Sequence, residues 1–251
     1  MILNVIKKNK PDKISFIFDE GEFKGKQFSG ELKICHNLSC NCGTIYFNLI
    51  NEQSKNNGEQ KTHEFSIDVF QKNIDKDKVD DNSNFDIKFA KDFVKELKKE
   101  DWDFFHKLYT DYKIFCTKTT DIEKMETEFP MDEIEEDALN VGFYEILPFS
   151  ENIIFEIDNK KFLIDDQYCV SSSCDCTGTF INFIPITEAD SLEEFYTTIY
   201  LDYKNNSWKV EELSKDIEIT PKKLMAELFS QKNWASIFSK RHNQLRILYK
   251  N

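Results

Sequence analysis

The sequence predicts an α+β fold made by tandem duplication, in which each half is a small antiparallel sheet with a cysteine knuckle and a long C-terminal helix. Three observations lead to this prediction. A cysteine cluster occurs twice, short apolar runs rich in β-branched and aromatic residues surround each cluster, and a stretch of helical periodicity closes each half. The chain has 251 residues, 40% of them hydrophobic and 23 of them Phe, so it can bury a substantial core.

The duplication is inferred from matching residues that recur in the same order. Cys35, Cys40 and Cys42 return 134 residues later as Cys169, Cys174 and Cys176. The other matches are Phe28 with Phe162, His63–Asp68 with Thr197–Asp202, Glu96-Leu97 and Trp102 with Glu227-Leu228 and Trp234, and Leu3–Val5 with Leu139–Val141. We therefore predict repeat 1 at residues 1–118 and repeat 2 at residues 138–251. Between them, residues 119–137 carry nine carboxylates and a single lysine, which predicts a solvated acidic linker.

The elements of each repeat follow from local patterns. The predicted strands are Ile14–Phe18, a strand that enters the first knuckle, Thr44–Ile50 and 63–69, and in repeat 2 Ile153–Ile157, a strand that enters the second knuckle, Thr179–Ile184 and 197–203. Each knuckle is thus the turn of a hairpin. A polar stretch from Asp75 to Asn82 predicts an exposed loop.

Apolar side chains at helical spacing predict the closing helices. One helix spans Phe89 to Tyr112, and the other runs from Leu224 to Leu248. Thr220-Pro221 supplies a cap hydroxyl followed by a proline in the first turn, which marks the start of the second helix.

The spacing of the cysteines favours metal binding. Two cysteines with one residue between them point to the same side of an extended chain, and a third cysteine five residues earlier can fold back to the same ion. The intervening residues are polar, unlike the neighbours of thiols packed in a core. We predict that both clusters bind a metal, zinc being the expected ion. The predicted thiolate ligands are Cys35, Cys40, Cys42, Cys169, Cys174 and Cys176. Buried thiols and a redox pair are the alternatives.

Three thiolates leave zinc one ligand short. His106 follows Trp102 by four residues and His242 follows Trp234 by eight, so the two histidines lie one helical turn apart on the same face and are the candidate fourth ligands. A surface histidine is the competing interpretation. A bound water in that place would leave a catalytic opening. An iron–sulfur cluster is the rival cofactor, although its plant-type spacing is Cys-x4-Cys-x2-Cys with a distant fourth cysteine.

Charge and missing motifs restrict the function classes. The net charge of −13 disfavours nucleic acid and anionic membrane surfaces as general partners, so a protein partner is expected. The sequence has no run of about 18 apolar residues and no secretory leader pattern, which predicts a cytoplasmic location where the thiols stay reduced. Walker, dinucleotide-binding, zinc-protease and nucleophile-elbow motifs are absent from the sequence.

The segment from Tyr168 to Thr177, Tyr-Cys-Val-Ser-Ser-Ser-Cys-Asp-Cys-Thr, resembles one in uncharacterised bacterial proteins, some of which carry a SEC-C metal-binding tail. The resemblance covers about 15 residues in repeat 2 and, less closely, the matching stretch of repeat 1. It implies that Cys169, Cys174 and Cys176 are metal ligands. The sequence ends Ile247–Asn251 with no SEC-C tail, so the contribution of that tail is not expected here. Because those relatives have no established activity, the resemblance supports a site and not an activity.

Three functions from different classes fit these observations. The first is a non-catalytic cytoplasmic interaction module whose hairpins are braced by zinc. The second is an enzyme with a three-cysteine metal site and an open position. The third is a thiol-based redox or metal sensor, because oxidation can release metal-held thiolates.

Overall fold

The computed structural model describes residues 13–53, 62–75, 85–125, 127, 129–186, 195–214 and 218–250, together with the backbone of residues 2–5. Over these ranges the chain is a mixed α+β protein with two antiparallel sheets and six helices. It divides into unit 1, Met1–His36 and Cys40–Lys118, and unit 2, Asn37–Ser39 and Thr119–Asn251. Most of the predicted polar loop, from residue 76 onward, lies outside the described residues.

Unit 1 contains a six-stranded sheet in which neighbouring strands also follow one another along the chain. Its strands are β1 (Ile2–Val5), β2 (Lys13–Ile17), β3 (Gln27–Ile34), β4 (Thr44–Asn51), β5 (Thr62–Asp68) and β6 (Asn73–Ile74). Ile45, Phe47 and Leu49 on β4 are buried while the residues between them are exposed, so one face of the sheet carries the core.

Two helices cover that face. They are α1 (Ile87–Glu96) and α2 (Lys99–Thr119). Asp86 caps α1 by accepting a hydrogen bond from the Phe89 N–H at 3.0 Å. The sequence predicted one continuous helix here, but the chain breaks at residues 97–98 because the Asp101 carboxylate accepts the Lys98 N–H at 2.9 Å and starts a new helix.

Unit 2 contains the second sheet. Its strands are β7 (Val141–Gly142), β8 (Ile153–Ile157), β9 (Lys160–Tyr168), β10 (Gly178–Ile186), β11 (Thr197–Asp202) and β12 (Ser207–Leu213). They are ordered β12-β11-β10-β9-β7, and β8 also pairs with β9. Its helices are α3 (Met131–Glu136), α4 (Phe143–Ile146), α5 (Pro221–Ser230) and α6 (Trp234–Lys250).

Unit 2 departs from the sequence prediction in several places, among them β7 and α4, which were not predicted. The closing helix is again split, and Asn233 just before α6 has a φ of 68°, a left-handed conformation that ends one helix and redirects the chain. Strand β12 was not predicted. The segment predicted as an acidic linker forms a 3-10 turn at Ile122–Lys124 and helix α3, whose Ile134 is buried.

The central hairpins of the two units have equal register. Ile34 pairs with Ile45 at the end of β3–β4, and Tyr168 pairs with Thr179 at the end of β9–β10. Each hairpin encloses a nine-residue knuckle, 35–43 or 169–177. The flanking strands differ, because β1 pairs with β2 whereas β7 pairs with β9. The tandem duplication stays a prediction, which the equal registers support.

No helix within the described residues is both long enough and apolar enough to cross a bilayer.

Candidate metal centre

The knuckle of unit 2 brings its three cysteines together. The Sγ atoms of Cys169, Cys174 and Cys176 all lie within 4.8 Å of one another, and each residue is partly exposed. Strand β9 ends directly before Cys169, and a turn in which the Cys174 N–H donates to the Ser171 carbonyl at 3.1 Å brings the other two cysteines back. Thiolates bound at 2.3 Å to a tetrahedral zinc ion lie about 3.8 Å apart, so this spacing suits a shared ion.

The three sulfurs are not equivalent. The Cys176 N–H donates to Cys174 Sγ at 3.5 Å, and this hydrogen bond holds the pKa of Cys174 below that of an ordinary thiol. Burial, followed by the hydrogen bond with Cys174, raises the pKa of Cys176 to about 11. Burial also raises the pKa of Cys169. Cys174 is therefore the thiol of the cluster that ionises most readily, and a metal ion that binds all three sulfurs must displace the protons that the other two hold.

Helix α6 places a guanidinium under the knuckle. Arg246 Nη2 donates to the carbonyls of Cys174 at 3.0 Å and of Cys176 at 3.2 Å, and it lies 4.0 Å from Cys176 Sγ. Three thiolates around a divalent ion carry a net charge of about −1, which the guanidinium offsets. Arg246 thus both closes the loop and balances the charge of a loaded site.

His242, on the same helix, contacts the first cysteine through the backbone. The His242 ring is buried, with Nε2 2.6 Å from the Cys169 carbonyl oxygen and Nδ1 2.9 Å from the Tyr203 hydroxyl. A carbonyl can only accept, so Nε2 carries the proton and Nδ1 accepts from Tyr203. Burial lowers the pKa of His242 to about 4, so the ring is neutral near pH 7. Both ring nitrogens have partners in this arrangement, and the role of His242 as a metal ligand stays a prediction.

A buried ion pair clamps the strand that leads into Cys169. Arg241 Nη1 lies 2.6 Å from Asp166 Oδ1, and the two side chains are 7% and 0% exposed. Tyr168 donates its hydroxyl to the other oxygen of Asp166. Arg241 also donates to the Tyr144 hydroxyl at 2.9 Å and stacks on Phe143 at 4.3 Å. Burial raises the pKa of Asp166, while Arg241 acts to lower it. The end of β9 is therefore tied to α6 directly beside the site.

Glu135 of α3 holds the knuckle from the other side. Its carboxylate accepts from the Ser171 hydroxyl at 2.8 Å, the Ser172 N–H at 3.0 Å and the Tyr249 hydroxyl at 2.6 Å. These hydrogen bonds, the Ser172 N–H first, lower the pKa of Glu135 to about 2. A segment that the sequence predicts to be a solvated linker therefore supplies a knuckle contact.

The knuckle of unit 1 is arranged differently. Among the described residues, no group of three converging metal ligands includes Cys35, Cys40 or Cys42. Cys42 is exposed, and Cys35 and Cys40 are partly exposed. The next residue, Gly43, has a φ of 69°, and a Cβ there would lie 2.6 Å from the Phe70 ring. Thr177 in the matching place of unit 2 is not left-handed, so the two chains leave their knuckles along different paths.

Helix α2 presents a tyrosine and a lysine to the unit 1 knuckle. Tyr109 accepts from the Gly43 N–H at 3.3 Å and donates to the Cys40 carbonyl at 3.4 Å, and Lys113 donates to the Cys35 carbonyl at 3.4 Å. Tyr109 and Lys113 precede His242 and Arg246 by 133 residues and take the corresponding places.

The other predicted histidine of unit 1 lies elsewhere. His106 is exposed and packs against Phe70 with ring centroids 5.5 Å apart. The structure therefore does not bring His106 to the place that His242 has in unit 2, and its role as a ligand also stays a prediction.

Sequence reasoning missed Arg246 and Glu135 as knuckle contacts. One signal was present for Arg246, because a cation follows the knuckle-facing helix residue by four positions in both units: Lys113 after Tyr109, and Arg246 after His242. No comparable signal marks Glu135, because it is one of many carboxylates in an acidic stretch.

Comparison with known proteins adds no functional assignment. No family model matches the sequence, and no curated protein or solved structure matches it significantly. The resemblance to bacterial proteins with a Tyr-Cys-x4-Cys-x-Cys segment stays a prediction. The assignment of a candidate metal centre therefore rests on the geometry of unit 2.

Proposed function

We propose that this chain is a metal-binding protein in which Cys169, Cys174 and Cys176 hold a single zinc ion in unit 2. The observation that carries the proposal is the convergence of the three Sγ atoms within 4.8 Å. The N–H to sulfur hydrogen bond at Cys174 and the guanidinium of Arg246 support it, because both favour thiolates over thiols.

Zinc fits this donor set better than an iron–sulfur cluster. A [2Fe–2S] cluster takes four cysteine ligands, and the sequence of unit 2 contains only the three of the knuckle. Zinc accepts three protein ligands and a fourth exogenous one. The structure's hydrogen bonds to both nitrogens of His242 favour a supporting role for that residue, with the fourth coordination place taken by water or by a group from a partner.

The proposed role is that of a non-catalytic interaction module that binds a protein partner. The net charge of −13 supports a protein over a nucleic acid as that partner. Tandem duplication is the proposed origin of the two units, which the equal hairpin registers support.

A second candidate function is a metal-dependent enzyme. The observation that favours it is that the three cysteines leave a coordination place which His242, engaged by Tyr203 and Cys169, does not fill. Such an opening is the property of catalytic zinc sites.

Metal analysis of matched variants tests the metal site. The full-length protein is produced with zinc, dialysed against a weak chelator and measured by elemental mass spectrometry. We expect about one tightly held zinc per chain, as three thiolates and an open place imply. Substituting Cys169, Cys174 and Cys176 by Ser should abolish it, whereas the same change at Cys35, Cys40 and Cys42 should leave it in place. Full retention of zinc by the unit 2 variant would refute the proposal.

Substitution of His242 separates a ligand from a supporting residue. His242→Gln keeps a side-chain N–H donor, and we expect it to retain the metal with nearly unchanged affinity. His242→Ala should retain the metal with an affinity lowered by about 10- to 100-fold, as for other outer-shell partners of metal ligands. The thiolate charge-transfer and d–d bands of the cobalt-substituted protein should be unaltered in both variants, and His106→Gln serves as the control. Changed cobalt coordination in His242→Gln would make His242 a ligand.

The two candidate roles differ in whether the fourth coordination place of the metal accepts a small ligand. The cobalt-substituted protein is titrated with imidazole and with thiocyanate. Its d–d bands report whether these small ligands enter the fourth coordination place. Unchanged spectra, which require a fourth ligand that small molecules do not displace, favour the interaction module. Shifted spectra favour the enzyme and would displace the non-catalytic role, while leaving the three-cysteine site standing.

A further inference from the structure

Helix α6 contacts the unit 2 knuckle from one face of the sheet. Asp166 and Tyr168 at the end of β9 are buried on that face, where Asp166 meets Arg241 and Tyr168 packs against the His242 ring. Arg246 reaches the knuckle carbonyls from the same helix. Because α6 fills this side, we expect a ligand for the open coordination place of the proposed metal site to approach from the opposite face of the sheet.

Tyr200 lies on that opposite face, with the end of its ring against Gly178. Its cross-strand partner is Phe180, and both side chains are partly exposed, whereas the next pair, Ile181 and Ile199, is buried in the core. A Cβ at Gly178 would lie 2.1 Å from the Tyr200 hydroxyl oxygen. The absence of a side chain at residue 178 therefore gives the tyrosine its place.

Gly178 adjoins the cysteines on both strands of the hairpin. Cys176 precedes it by two residues, and Cys169 directly follows Tyr168 at the end of β9. One further step of the β9–β10 register sets Cys169 opposite Gly178. Because successive strand residues point to opposite faces, Cys169 follows the buried Tyr168 toward the face that carries Tyr200. The Tyr200 hydroxyl thus ends beside both the start and the end of the knuckle.

The ring of Tyr200 is held in place, but its hydroxyl has room for a further contact. The ring packs against Phe180 with centroids 5.3 Å apart, and Lys209 Nζ of β12 lies 5.5 Å from its centre. Over the ranges that the structure describes, the hydroxyl forms no hydrogen bond with another residue. A phenol can donate and accept, so this one can bind a water molecule that itself contacts a metal ion.

Unit 1 has no tyrosine at the matching place. Thr44 and Ser66 precede Gly178 and Tyr200 by 134 residues, so a β-branched side chain stands where unit 2 has a glycine. The Thr44 hydroxyl lies 2.6 Å from Asp75 Oδ2. The glycine and the tyrosine therefore occur together in the unit whose three thiols converge.

We propose that Tyr200 closes the fourth coordination place of the metal in unit 2. Its hydroxyl hydrogen-bonds to the water that completes the coordination of the ion, and its ring, packed on Phe180, blocks the path of larger ligands. The proposal rests on the three-cysteine zinc site proposed above, and it explains how a metal with three protein ligands can serve a non-catalytic module. A catalytic site keeps this place open to exchange, whereas a structural one closes it.

Imidazole titration of the cobalt-substituted, full-length protein tests the role of Tyr200. The thiolate charge-transfer bands first establish that cysteines hold the metal, and the d–d bands then report imidazole binding. Tyr200→Ser, which installs the residue of unit 1, should bind imidazole about tenfold more tightly than the unaltered protein, because the water loses a hydrogen bond and the path opens. Tyr200→Phe, which loses only the hydroxyl, should lie between the two. Tyr46→Ser, which changes an exposed tyrosine of the unit 1 sheet, is the control.

Gly178 provides a second test that leaves Tyr200 unaltered. Gly178→Ala places a Cβ where the ring ends, so the ring must move away from the knuckle, and we expect imidazole to bind as tightly as in Tyr200→Ser. Combining the two substitutions should add no further affinity, because the alanine then has no ring to displace. Additive effects would mean that Gly178→Ala opens the site without Tyr200, which contradicts the proposal.

The outcomes separate the role of Tyr200 from the metal site itself. Equal imidazole affinities in the unaltered protein and in Tyr200→Ser, with intact charge-transfer bands, would overturn the proposal and leave the three-cysteine site standing. Loss of the bound metal from both Tyr200 variants would make the phenol oxygen a ligand instead of a shield, and the proposal would be wrong. Charge-transfer bands absent from the unaltered protein would refute the metal site, and with it this proposal.

Discussion

The two units have hairpins of the same register but different chemistry beneath them. In unit 2 the strand entering the knuckle meets α6 through a buried ion pair, whose Asp166 also accepts from the Tyr168 hydroxyl of the same strand. The corresponding places in unit 1 hold aliphatic side chains: Leu32, Ile34 and Leu108. Leu32 and Ile34 are buried, and hydrophobic packing has no preferred direction. Hydrogen bonds to a guanidinium do have one, so at these places the contacts are directional in unit 2 and not in unit 1.

The cations that contact the two knuckles, Lys113 and Arg246, also differ in the geometry of their hydrogen bonds. Lys113 donates to the carbonyl of Cys35, the first cysteine of its knuckle. Arg246 bridges the carbonyls of Cys174 and Cys176, the two cysteines separated by one residue. A planar guanidinium can bind two acceptors in fixed geometry, whereas an ammonium is a point charge on a flexible stem. We attribute the convergence of the unit 2 thiols to this bridge.

Removing the guanidinium of Arg241 should have the largest effect. Arg241→Met leaves the Asp166 carboxylate buried without its counter-charge, and we expect the free energy of unfolding to fall by about 3–5 kcal/mol. Urea unfolding followed by circular dichroism measures the change. The matched variant combines Asp166→Leu with Arg241→Leu and so installs the side chains of unit 1. The double variant should recover most of the lost unfolding free energy. A loss equal to that of Arg241→Met would mean that the ion pair itself stabilises the fold, and that the unpaired Asp166 charge is not the cause of the loss.

Exchanging the cation of unit 2 for that of unit 1 tests how the guanidinium affects zinc binding. Arg246→Lys gives unit 2 the cation of unit 1, and we expect its zinc affinity to fall by about tenfold because only one carbonyl remains bound. Competition with a chromogenic chelator measures the affinity. The control is the reciprocal change Lys113→Arg, which should leave the affinity of unit 2 unaltered. An affinity unchanged in Arg246→Lys would show that charge alone, without the bridge, supports the site.

Loss of the Glu135 carboxylate should have the smallest effect. Glu135→Gln weakens the three hydrogen bonds that the carboxylate accepts, and we expect a modest loss of unfolding free energy near neutral pH. Because its pKa is lowered in the folded state to about 2, the stabilisation is complete above about pH 5 and disappears as the pH falls toward 2. Urea unfolding of both proteins against pH should therefore show curves that merge at low pH. Glu136→Gln is the control, and a difference that grows on acidification would contradict the assignment.

The hairpins could be predicted from the sequence because period-two burial and polar turns are local properties. The helix breaks at residues 97–98 and at Asn233 could not, because the first depends on the Asp101 carboxylate bonding back to Lys98 and the second on a left-handed asparagine. Both lie inside an unbroken apolar pattern that predicts a continuous helix.

The site was predictable only in part. The cysteines of unit 2 were named from spacing, but spacing is equal in both units and cannot tell which cluster converges. The histidines were matched by counting from Trp102 and Trp234, yet Trp102 is the fourth residue of α2 and Trp234 the first of α6. Counting from each tryptophan therefore matched His242 to His106 and not to Tyr109, whose hydroxyl contacts the unit 1 knuckle.

The side chains that contact the unit 2 knuckle bind its backbone atoms and its serines more than its sulfurs. Arg246 binds the carbonyls of Cys174 and Cys176, His242 binds that of Cys169, and Glu135 holds the loop at Ser171 and Ser172. None of these hydrogen bonds requires an ion, so the loop has its binding shape beforehand. Little of the metal's binding free energy then goes into ordering the chain, and the ion can leave and return while unit 2 stays folded.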